Sequence, residues 1–330
     1  MSGRWLVIGS NSFTGAHFVR FLLERGETVA GASRSPEPHL AYLPYRWDSV
    51  PAPRGIYQID LNHDLAELMR VVHDLQPEYV VNFAAQSMVG PSWDSPTHWF
   101  QTNVVATVAL HDELRRLKYL KRYVHASTPE VYGSCEGHVA EDHPMRPSTP
   151  YAVSRAAADL SLRTFVQNYG FPVVSTRSAN VYGPGQRLYR VIPRTLLSLR
   201  LGRRLPLHGG GVSVRSFVHI RDVADGTWRA AVHGGVGEVY HLATRNGISI
   251  RGLVERMCVK VGVPLADVIE IVGVHAGKDL AYLLDTTKSR QALGWTDVVS
   301  LDDGIDDTLA WIDTHLEDLK SHPVDYIHKP

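Results

Sequence analysis

The segment Arg4-Trp-Leu-Val-Ile-Gly-Ser-Asn-Ser-Phe-Thr-Gly15 decides the fold of this chain. A short apolar run leads into small residues and then into a helical pattern, which is the order strand, turn, helix. Gly9 allows a tight turn, Ser12 lies where the backbone approaches a pyrophosphate, and Gly15 permits close helix packing. The segment therefore predicts a dinucleotide-binding turn at the start of a parallel α/β sheet.

The rest of the chain continues the alternation of strands and helices. Apolar runs predict strands at Trp5–Ile8, Thr28–Ala32, Gly55–Gln58, Tyr79–Asn82, Tyr123–Ala126 and Val173–Arg177. Helical periodicity separates them at His17–Arg25, Asp64–Leu75, Trp99–Arg116 and Ser154–Tyr169. Such alternation is typical of right-handed βαβ units. We predict an α/β fold, a Rossmann-type doubly wound parallel sheet with a smaller interleaved carboxyl-terminal substrate-binding lobe.

The pattern loosens after about residue 180, where Gly and Pro punctuate the chain. Helices are expected at Arg190–Leu201, Ile250–Val261 and Gly304–His315, and a late strand at Val239–Ala243. We assign residues 1–178 to the dinucleotide-binding domain, with returning segments at about 214–245, and residues 179–213 and 246–330 to the second lobe. The glycines of His208–Gly211 are expected to turn a hairpin, and the polar run after Asp318 to wrap the surface.

Composition excludes several classes of function. Lys plus Arg equals Asp plus Glu, at 34 each, so there is no net field to attract nucleic acid or an anionic membrane. The 330 residues contain two cysteines without disulfide or metal spacing, and the histidines show no metal spacing. No stretch approaches the roughly 20 apolar residues that span a bilayer, and the first run is no signal peptide. We expect a metal-free, cytoplasmic enzyme.

The ends of the predicted strands suggest where a cofactor would lie. The second strand ends in Ser33-Arg34, where an acidic residue would hold a ribose 2′-hydroxyl, and Arg34 instead suits a 2′-phosphate. NADP is therefore favoured as the cofactor, with NAD as the alternative. The structural alternative is that Arg34 is a solvent-exposed side chain that binds no phosphate. Asp60-Leu61 could bracket adenine, and the small residues of Phe83-Ala84-Ala85 would let the backbone approach the nicotinamide ribose.

The chemistry centres on Ser127-Thr-Pro-Glu-Val-Tyr-Gly133 and Tyr151-Ala-Val-Ser-Arg155. The first segment follows a buried strand, so its hydroxyls and carboxylate lie at the edge where parallel sheets place their ligands. Tyr151 opens the next helix and faces them. A hydroxyl, a carboxylate and a phenol together suit proton and hydride chemistry on a sugar.

These motifs together resemble the extended short-chain dehydrogenase/reductases that modify nucleotide sugars, over nearly the whole chain. Within that group the motifs look most like GDP-mannose 4,6-dehydratase, with dTDP-glucose 4,6-dehydratase close behind. The resemblance implies that the turn residues Asn11, Phe13 and Thr14 join Gly9, Ser12 and Gly15 at the cofactor, with Tyr151 and Arg155 at the nicotinamide ribose. It also implies substrate contacts at Ser87, Asn180, Arg187, Arg215 and Asp279.

The resemblance further implies a mechanism. Tyr151 would take the C4 hydroxyl proton while hydride leaves C4, Thr128 would hold the C4 oxygen, and Arg155 would lower the pKa of the phenol. Glu130 would then remove the C5 proton, water would leave from C6, and hydride would return there. The resemblance also implies a homodimer formed through a bundle of the helices at 99–116 and 154–169.

Two departures from the family pattern keep alternatives open. Pro129 cannot donate a proton to a departing C6 hydroxyl, and Arg155 presents a planar fork where the family has Lys. A nucleotide-sugar decarboxylase, which needs a substrate carboxylate, and a 4-epimerase, which needs no C5 base, use related motifs. The alternative of another class is a non-catalytic nucleotide-binding regulator, which would have no need for Thr128, Glu130 and Tyr151 together.

Overall fold

The computed structural model describes residues 3–47, 50–273 and 283–329. Its strands, in chain order, are β1 (Arg4–Ile8), β2 (Thr28–Ser33), β3 (Gly55–Gln58), β4 (Tyr79–Asn82), β5 (Arg122–Ala126), β6 (His138–Val139), β7 (Val173–Ser178), β8 (Asn180–Tyr182), β9 (Leu205–His208), β10 (Val214–Arg215), β11 (Phe217–His219), β12 (Val239–Leu242), β13 (Ile248–Ser249), β14 (Ile269–Val272) and β15 (Leu283–Leu284).

The helices are α1 (Phe13–Glu24), α2 (Leu65–Leu75), α3 (Pro96–Phe100), α4 (Thr107–Leu114), α5 (Pro150–Tyr169), α6 (Val191–Arg200), α7 (Ile220–His233), α8 (Ile250–Val261), α9 (Leu265–Val268), α10 (Thr287–Leu293), α11 (Leu301–Thr314) and α12 (Leu316–Leu319). Within the described ranges no helix is both long enough and apolar enough to cross a membrane.

A seven-stranded parallel sheet with the order β12-β7-β5-β4-β1-β2-β3 forms the centre of the protein. Its two faces are both apolar. In β1, Trp5 and Val7 belong to one buried cluster, whereas Leu6 and Ile8 belong to another. Because successive side chains point to opposite faces of a strand, this alternation places one core on each side of the sheet. The predicted doubly wound fold is confirmed.

The chain order reverses between β1 and β4, and this reversal positions the ligand site. β2 and β3 extend the sheet from one side of β1, whereas β4, β5, β7 and β12 extend it from the other. The loops that leave β1 and β4 therefore diverge and open a crevice at the carboxyl edge, where doubly wound sheets bind ligands.

The second lobe is built from short strand pairs around a separate core. Leu196, Leu253 and Ile312 in this core come from α6, α8 and α11. The hairpin expected at His208–Gly211 is wrong: β9 pairs in parallel with β14, and β10 pairs with β13. Gly209–Gly211 form a 3-10 turn, because the strands on either side each have a distant partner.

The helix predicted at Trp99–Arg116 is interrupted. It begins at Pro96, and residues Gln101–Ala106 form a π-helical segment between α3 and α4. Such segments insert one extra residue per turn and often occur beside functional sites. Here the segment carries Thr102, which lines the crevice described below, and Asn103, which bonds the backbone of a residue that lines it.

Candidate active site

The turn after β1 is shaped by close backbone packing. Gly9 has φ +83°, and a Cβ atom there would lie 2.7 Å from the backbone nitrogen of Ala84. A Cβ atom on Gly15 would lie 2.1 Å from the carbonyl oxygen of Gly9. The Ser12 hydroxyl caps α1, accepting from the Gly15 amide at 3.1 Å and donating to the Gly9 carbonyl at 2.6 Å. The loop thus brings backbone to the crevice that a pyrophosphate would occupy.

The crevice contains most of the residues predicted to bind a cofactor. From that set its walls include Gly9, Asn11, Ser12, Ser33, Arg34, Asp60, Leu61, Phe83, Ala84 and Ala85. Phe13, Thr14 and Gly15 do not line it, because they begin α1. The sequence analysis missed Ile8, Ser35, Ile59, Gln86 and Thr102, which also line it. Gln86 directly follows the small residues after β4, and this position was a signal that could have identified it.

The wall at Gln86 is fixed by the π-helical segment. Asn103 accepts a 2.9 Å hydrogen bond from the Gln86 amide and donates a 3.0 Å bond to its carbonyl. The same side chain donates to the Ser154 hydroxyl of α5 at 2.9 Å. One buried amide therefore joins the crevice wall to the helix that carries Tyr151.

The end of β2 carries polar side chains. The Ser33 hydroxyl accepts from the Asn11 amide at 2.8 Å and lies 3.3 Å from the Ser10 hydroxyl. The Arg34 Nη1 donates to the carbonyl oxygen of Lys329 at 3.2 Å. The guanidinium thus lies at the rim of the crevice and contacts the last part of the chain, a relationship that sequence analysis did not predict.

The catalytic candidates meet at the carboxyl end of β5. Thr128 caps the 3-10 turn Pro129–Tyr132, and its hydroxyl donates to the Glu130 carboxylate. Burial raises the pKa of Tyr151 to about 12, and the charge of Glu130 adds to the increase. Arg155, a hydrogen bond with Thr128, and Arg190 act in the opposite direction. The predicted partners Thr128, Glu130 and Arg155 therefore all affect the pKa of the Tyr151 phenol.

Arg190 is a site residue whose place the sequence left undecided. It precedes α6 in the second lobe, and its positive charge reaches the Tyr151 phenol. The lobe that would hold the substrate therefore also contributes a cation to the catalytic cluster.

The Arg155 guanidinium is held in place by groups of β5. Its Nη2 donates to the Ala126 carbonyl and lies 3.3 Å from Nε2 of His125. Burial, with the charges of Arg155 and Arg177, lowers the pKa of His125 well below its usual value. A neutral imidazole can accept a hydrogen bond from a guanidinium, so His125 helps to hold Arg155 at the end of β5.

Next to Arg155 and His125 lies a buried network of polar side chains. Asp159 accepts hydrogen bonds of 2.7 Å from both Arg177 and the Ser127 hydroxyl. Arg177 also donates to the hydroxyl of Tyr132, which lies 2.7 Å from Nε2 of His241. Tyr132 is therefore both buried and hydrogen-bonded within this network.

The predicted substrate residues lie on separate elements, from the loop after β4 to β10. Asn180 on β8 donates to the Ser216 carbonyl at 3.2 Å, and Arg215 on β10 donates to the Val214 carbonyl at 2.8 Å. The Arg187 guanidinium lies 4.3 Å from the centre of the Tyr42 ring. Ser87 is exposed in the loop after β4. Asp279, with the neighbouring Gly277-Lys278, lies outside the described residues.

The comparisons with known proteins agree with this geometry. Residues 6–308 match the family model described as GDP-mannose 4,6 dehydratase. The chain belongs to this dehydratase family. Its match covers the dinucleotide turn, the catalytic cluster and most of the second lobe, so the predicted resemblance to extended short-chain dehydrogenase/reductases is confirmed.

Relatives of this family member share its full architecture. It is 30% identical to a dTDP-glucose 4,6-dehydratase of Xanthomonas campestris pv. campestris, over 93% of this chain and 92% of the relative. A dTDP-glucose 4,6-dehydratase from Streptomyces venezuelae, solved with NAD bound, has a TM-score of 0.87 at 32% identity, covering 95% of this chain and 98% of that one. A UDP-glucose 4-epimerase from Thermotoga maritima, solved with UDP-glucose, has a TM-score of 0.86 at 25% identity, covering 94% and 99%.

Proposed function

We propose that this protein is an NAD(P)-dependent nucleotide-sugar 4,6-dehydratase, a lyase that oxidises C4, eliminates water across C5 and C6, and returns hydride to C6. The observation that carries the proposal is the assembly of Thr128, Glu130 and Tyr151 at the end of β5, which Asn103 and Ser154 connect to the wall of the dinucleotide crevice. The names of its relatives support the same activity.

The crevice fits a dinucleotide. Gly9 in its wall admits no Cβ atom, and Ser12, the residue that caps α1, also lines it, so Gly9, Asn11 and Ser12 would hold the pyrophosphate. Asp60 and Leu61 would flank the adenine, and Phe83, Ala84 and Ala85 the nicotinamide ribose. When bound, the nicotinamide supplies the acceptor for the C4 hydride and the donor for C6.

Tyr151 would accept the C4 hydroxyl proton. A phenol with a pKa near 12 is protonated at neutral pH, so it needs nearby positive charge in order to act as a base. Arg155 and Arg190 both lower this pKa, and so does hydrogen bonding with Thr128, whose single hydroxyl hydrogen would turn from Glu130 to the phenolate. We therefore assign Arg155 the electrostatic part of the role that Lys has in the family, because its guanidinium stays charged throughout.

Glu130 would carry the second half of the reaction. Once C4 is a ketone the C5 proton is acidic, and the Glu130 carboxylate can remove it. The preceding residue, Pro129, has no proton to give to the departing C6 hydroxyl. We propose that Glu130 delivers the proton it has taken from C5, so that one carboxyl group serves as base and then as acid.

Pro129 also favours one second candidate. A decarboxylase of the same family would need C4 oxidation but no acid for a leaving hydroxyl, so it would tolerate proline at this position. It would require a substrate carboxylate at C5, which the dehydratase reaction does not.

For the cofactor we propose NADP in preference to NAD. The Streptomyces venezuelae relative was solved with NAD, but in this chain Ser33 and Arg34 stand at the end of β2, and Arg34 lines the crevice. A guanidinium matches a 2′-phosphate in charge and geometry.

For the substrate we propose a nucleotide-diphosphate sugar held by the second lobe. Asn180 on β8, Arg187 before α6 and Arg215 on β10 are the candidate contacts, and Ser87 is exposed in the loop after β4. Guanidinium groups are suited to a diphosphate. Asp279 remains a predicted substrate contact.

We further propose a homodimer through α3, α4 and α5. The solvent side of this helical region carries apolar side chains: Val105, in the π-helical segment between α3 and α4, is 55% exposed, and on α5 Leu160 is 49% and Val153 39% exposed. Val153 and Leu160 are seven residues apart on α5 and so share one face. A second copy would bury this face in a helix bundle. The cytoplasmic location expected from the cysteine content belongs to the same proposal.

The test is mass spectrometry of the purified protein incubated with GDP-, dTDP-, UDP- and CDP-hexoses and hexuronic acids. The proposal predicts loss of one water from at least one hexose and no loss with Tyr151→Phe. Loss of carbon dioxide from a hexuronic acid would instead establish the decarboxylase. Unchanged mass with every sugar would contradict both and favour an epimerase or a non-catalytic regulator.

A further inference from the structure

The segment after α12 crosses from the second lobe to the dinucleotide crevice. We call residues 324–329 the strap. Its first part is attached to the second lobe: Val324 packs against the core of that lobe, and Asp325 pairs with Arg194 at 3.1 Å. The Tyr326 ring packs edge-on against Tyr189, with ring centres 5.3 Å apart.

The next part is held by the helix beside the crevice. The ring of His328 stacks on Trp99, with centres 4.9 Å apart and planes 14° from parallel. Its Nε2 shares a 2.9 Å hydrogen bond with Nδ1 of His98. Trp99 is fully buried, so the strap covers an aromatic surface that would otherwise meet water.

The last described residue joins the two sides of the crevice. The carbonyl oxygen of Lys329 accepts a 2.7 Å hydrogen bond from Nε2 of Gln86 and a 3.2 Å bond from Nη1 of Arg34. Gln86 follows β4 and Arg34 follows β2, and both line the crevice. Because β4 and β2 flank β1 on opposite sides, this carbonyl bridges the crevice at its rim.

From this bridge we infer that the strap closes the dinucleotide crevice and retains the cofactor through turnover. Release of the cofactor requires the Lys329 carbonyl to leave Gln86 and Arg34 and His328 to leave Trp99. A guanidinium has several N–H donors, so Arg34 can hold the strap and a 2′-phosphate together. A reaction that returns its hydride in each cycle does not need to exchange its cofactor. A closure that keeps the cofactor bound is therefore compatible with repeated turnover. The inference rests on the proposed cofactor site.

The first experiment measures release of NADP from the whole protein by rapid dilution into excess unlabelled NADP. His328→Ala removes the stack on Trp99 and should speed release about ten-fold or more, the scale set by a part-buried ring contact and the hydrogen bonds it supports. Ile327→Ala is the matched control, because Ile327 is 65% exposed in the same segment, and it should release at the wild-type rate.

A second variant avoids dependence on one side chain. A chain ending at Asp325 keeps Val324 and the pair with Arg194 but lacks the bridge, and it too should release NADP at least about ten-fold faster. Equal rates in wild type, His328→Ala and the shortened chain would overturn the inference while leaving the cofactor site standing. Failure of the wild-type protein to bind NAD or NADP would instead contradict the proposed function itself.

Protection of the strap supplies an independent readout. Bound NADP should slow chymotryptic cleavage after Tyr326 in the wild-type protein and in Ile327→Ala, and should have less effect in His328→Ala. Faster cleavage in the presence of NADP would show that strap and cofactor compete for the crevice, which would overturn the inference.

Discussion

Asp159 accepts a 2.7 Å hydrogen bond from Nη2 of Arg177, and the two side chains are 5% and 1% exposed. The pair joins α5, which carries Tyr151, to β7 of the central sheet. Ser127 bonds the same carboxylate oxygen, which ties the start of the catalytic segment to this ion pair. The catalytic cluster therefore rests on a buried charge pair that fixes the helix, the strand and the loop relative to one another.

Loss of this pair should weaken the whole fold. Asp159→Asn leaves the Arg177 charge buried without its counter-ion, and we expect the free energy of unfolding to fall by about 3–5 kcal/mol. Urea denaturation measures the change. The control is Asp302→Asn, which breaks the exposed pair with Arg256 and should cost about 1 kcal/mol or less. Equal losses of unfolding free energy in both variants would show that the buried pair contributes no more to stability than the exposed pair.

The charge of Arg155 should set the pH at which Tyr151 works. Arg155 lowers the phenol's pKa, so Arg155→Met should raise that pKa further and move the rising alkaline limb of C4 oxidation to higher pH. At neutral pH the rate should fall by about 10²-fold or more. Arg155→Lys keeps the charge and should restore the limb toward its original position. The measurement is the pH dependence of cofactor reduction, and identical limbs in all three proteins would refute the electrostatic role.

Glu130 should separate the two halves of the reaction. Glu130→Gln removes the base for C5 but leaves Tyr151 in place, so cofactor should be reduced on addition of sugar while water loss falls by about 10²–10⁴-fold. Absorbance reports the first step and mass spectrometry the second. The matched control is Glu136→Gln, an exposed residue in the same loop, which should behave as wild type. Normal water loss in Glu130→Gln would remove Glu130 from the mechanism.

Arg34 should determine the choice of cofactor. Arg34→Ala should weaken NADP binding by about 10-fold or more, because a charged hydrogen bond to the 2′-phosphate is lost, and should change NAD binding much less. Calorimetry with both dinucleotides measures the difference. Arg54→Ala, an exposed arginine at the start of β3, is the control. A preference for NAD in the wild-type protein would contradict the assignment.

The strap should loosen in acid. Burial, then the charges of His98 and Arg34, lower the pKa of His328 from 6.5 in the docked state. The groups that face this ring are His98 on α3, Arg34 after β2 and Tyr326 within the strap. Because the docked ring binds its proton more weakly than the undocked one, docking is most favourable above about pH 6.5 and weakens as the pH falls below that value.

Release of NADP should accordingly accelerate from pH 7.5 towards pH 5.5, by up to about ten-fold per pH unit below the undocked pKa. His328→Phe keeps a ring on Trp99 but cannot titrate, and it should show a flat profile. A profile of equal slope in wild type and His328→Phe would exclude His328 as the titrating group.

Much of the fold could be predicted because its signals are local. The run from Trp5 to Ile8, the tight turn at Gly9 and the alternation of later elements follow from side-chain periodicity and from backbone freedom. The catalytic candidates were accessible for the same reason, since Thr128 and Glu130 lie in one turn and Tyr151 begins the following helix. The division of the chain at residue 178 remains a prediction.

What could not be predicted depends on pairs that are distant in sequence. Tyr132 and His241 are 109 residues apart, and each alone reads as an ordinary aromatic residue. The π-helical segment could not be predicted either, because its apolar pattern is that of a normal helix. Its role is seen only in the hydrogen bonds that Asn103 makes with Gln86 and Ser154.

The sequence by itself determined the sheet, the dinucleotide turn and the types of catalytic group, because these depend on residues within a few positions of one another. Only the tertiary structure decided how they are supported and enclosed. Arg34 and Lys329 are 295 residues apart, yet one hydrogen bond joins them across the cofactor crevice. Contacts of this kind arise when the second lobe folds back on the sheet, so no local pattern of side chains records them.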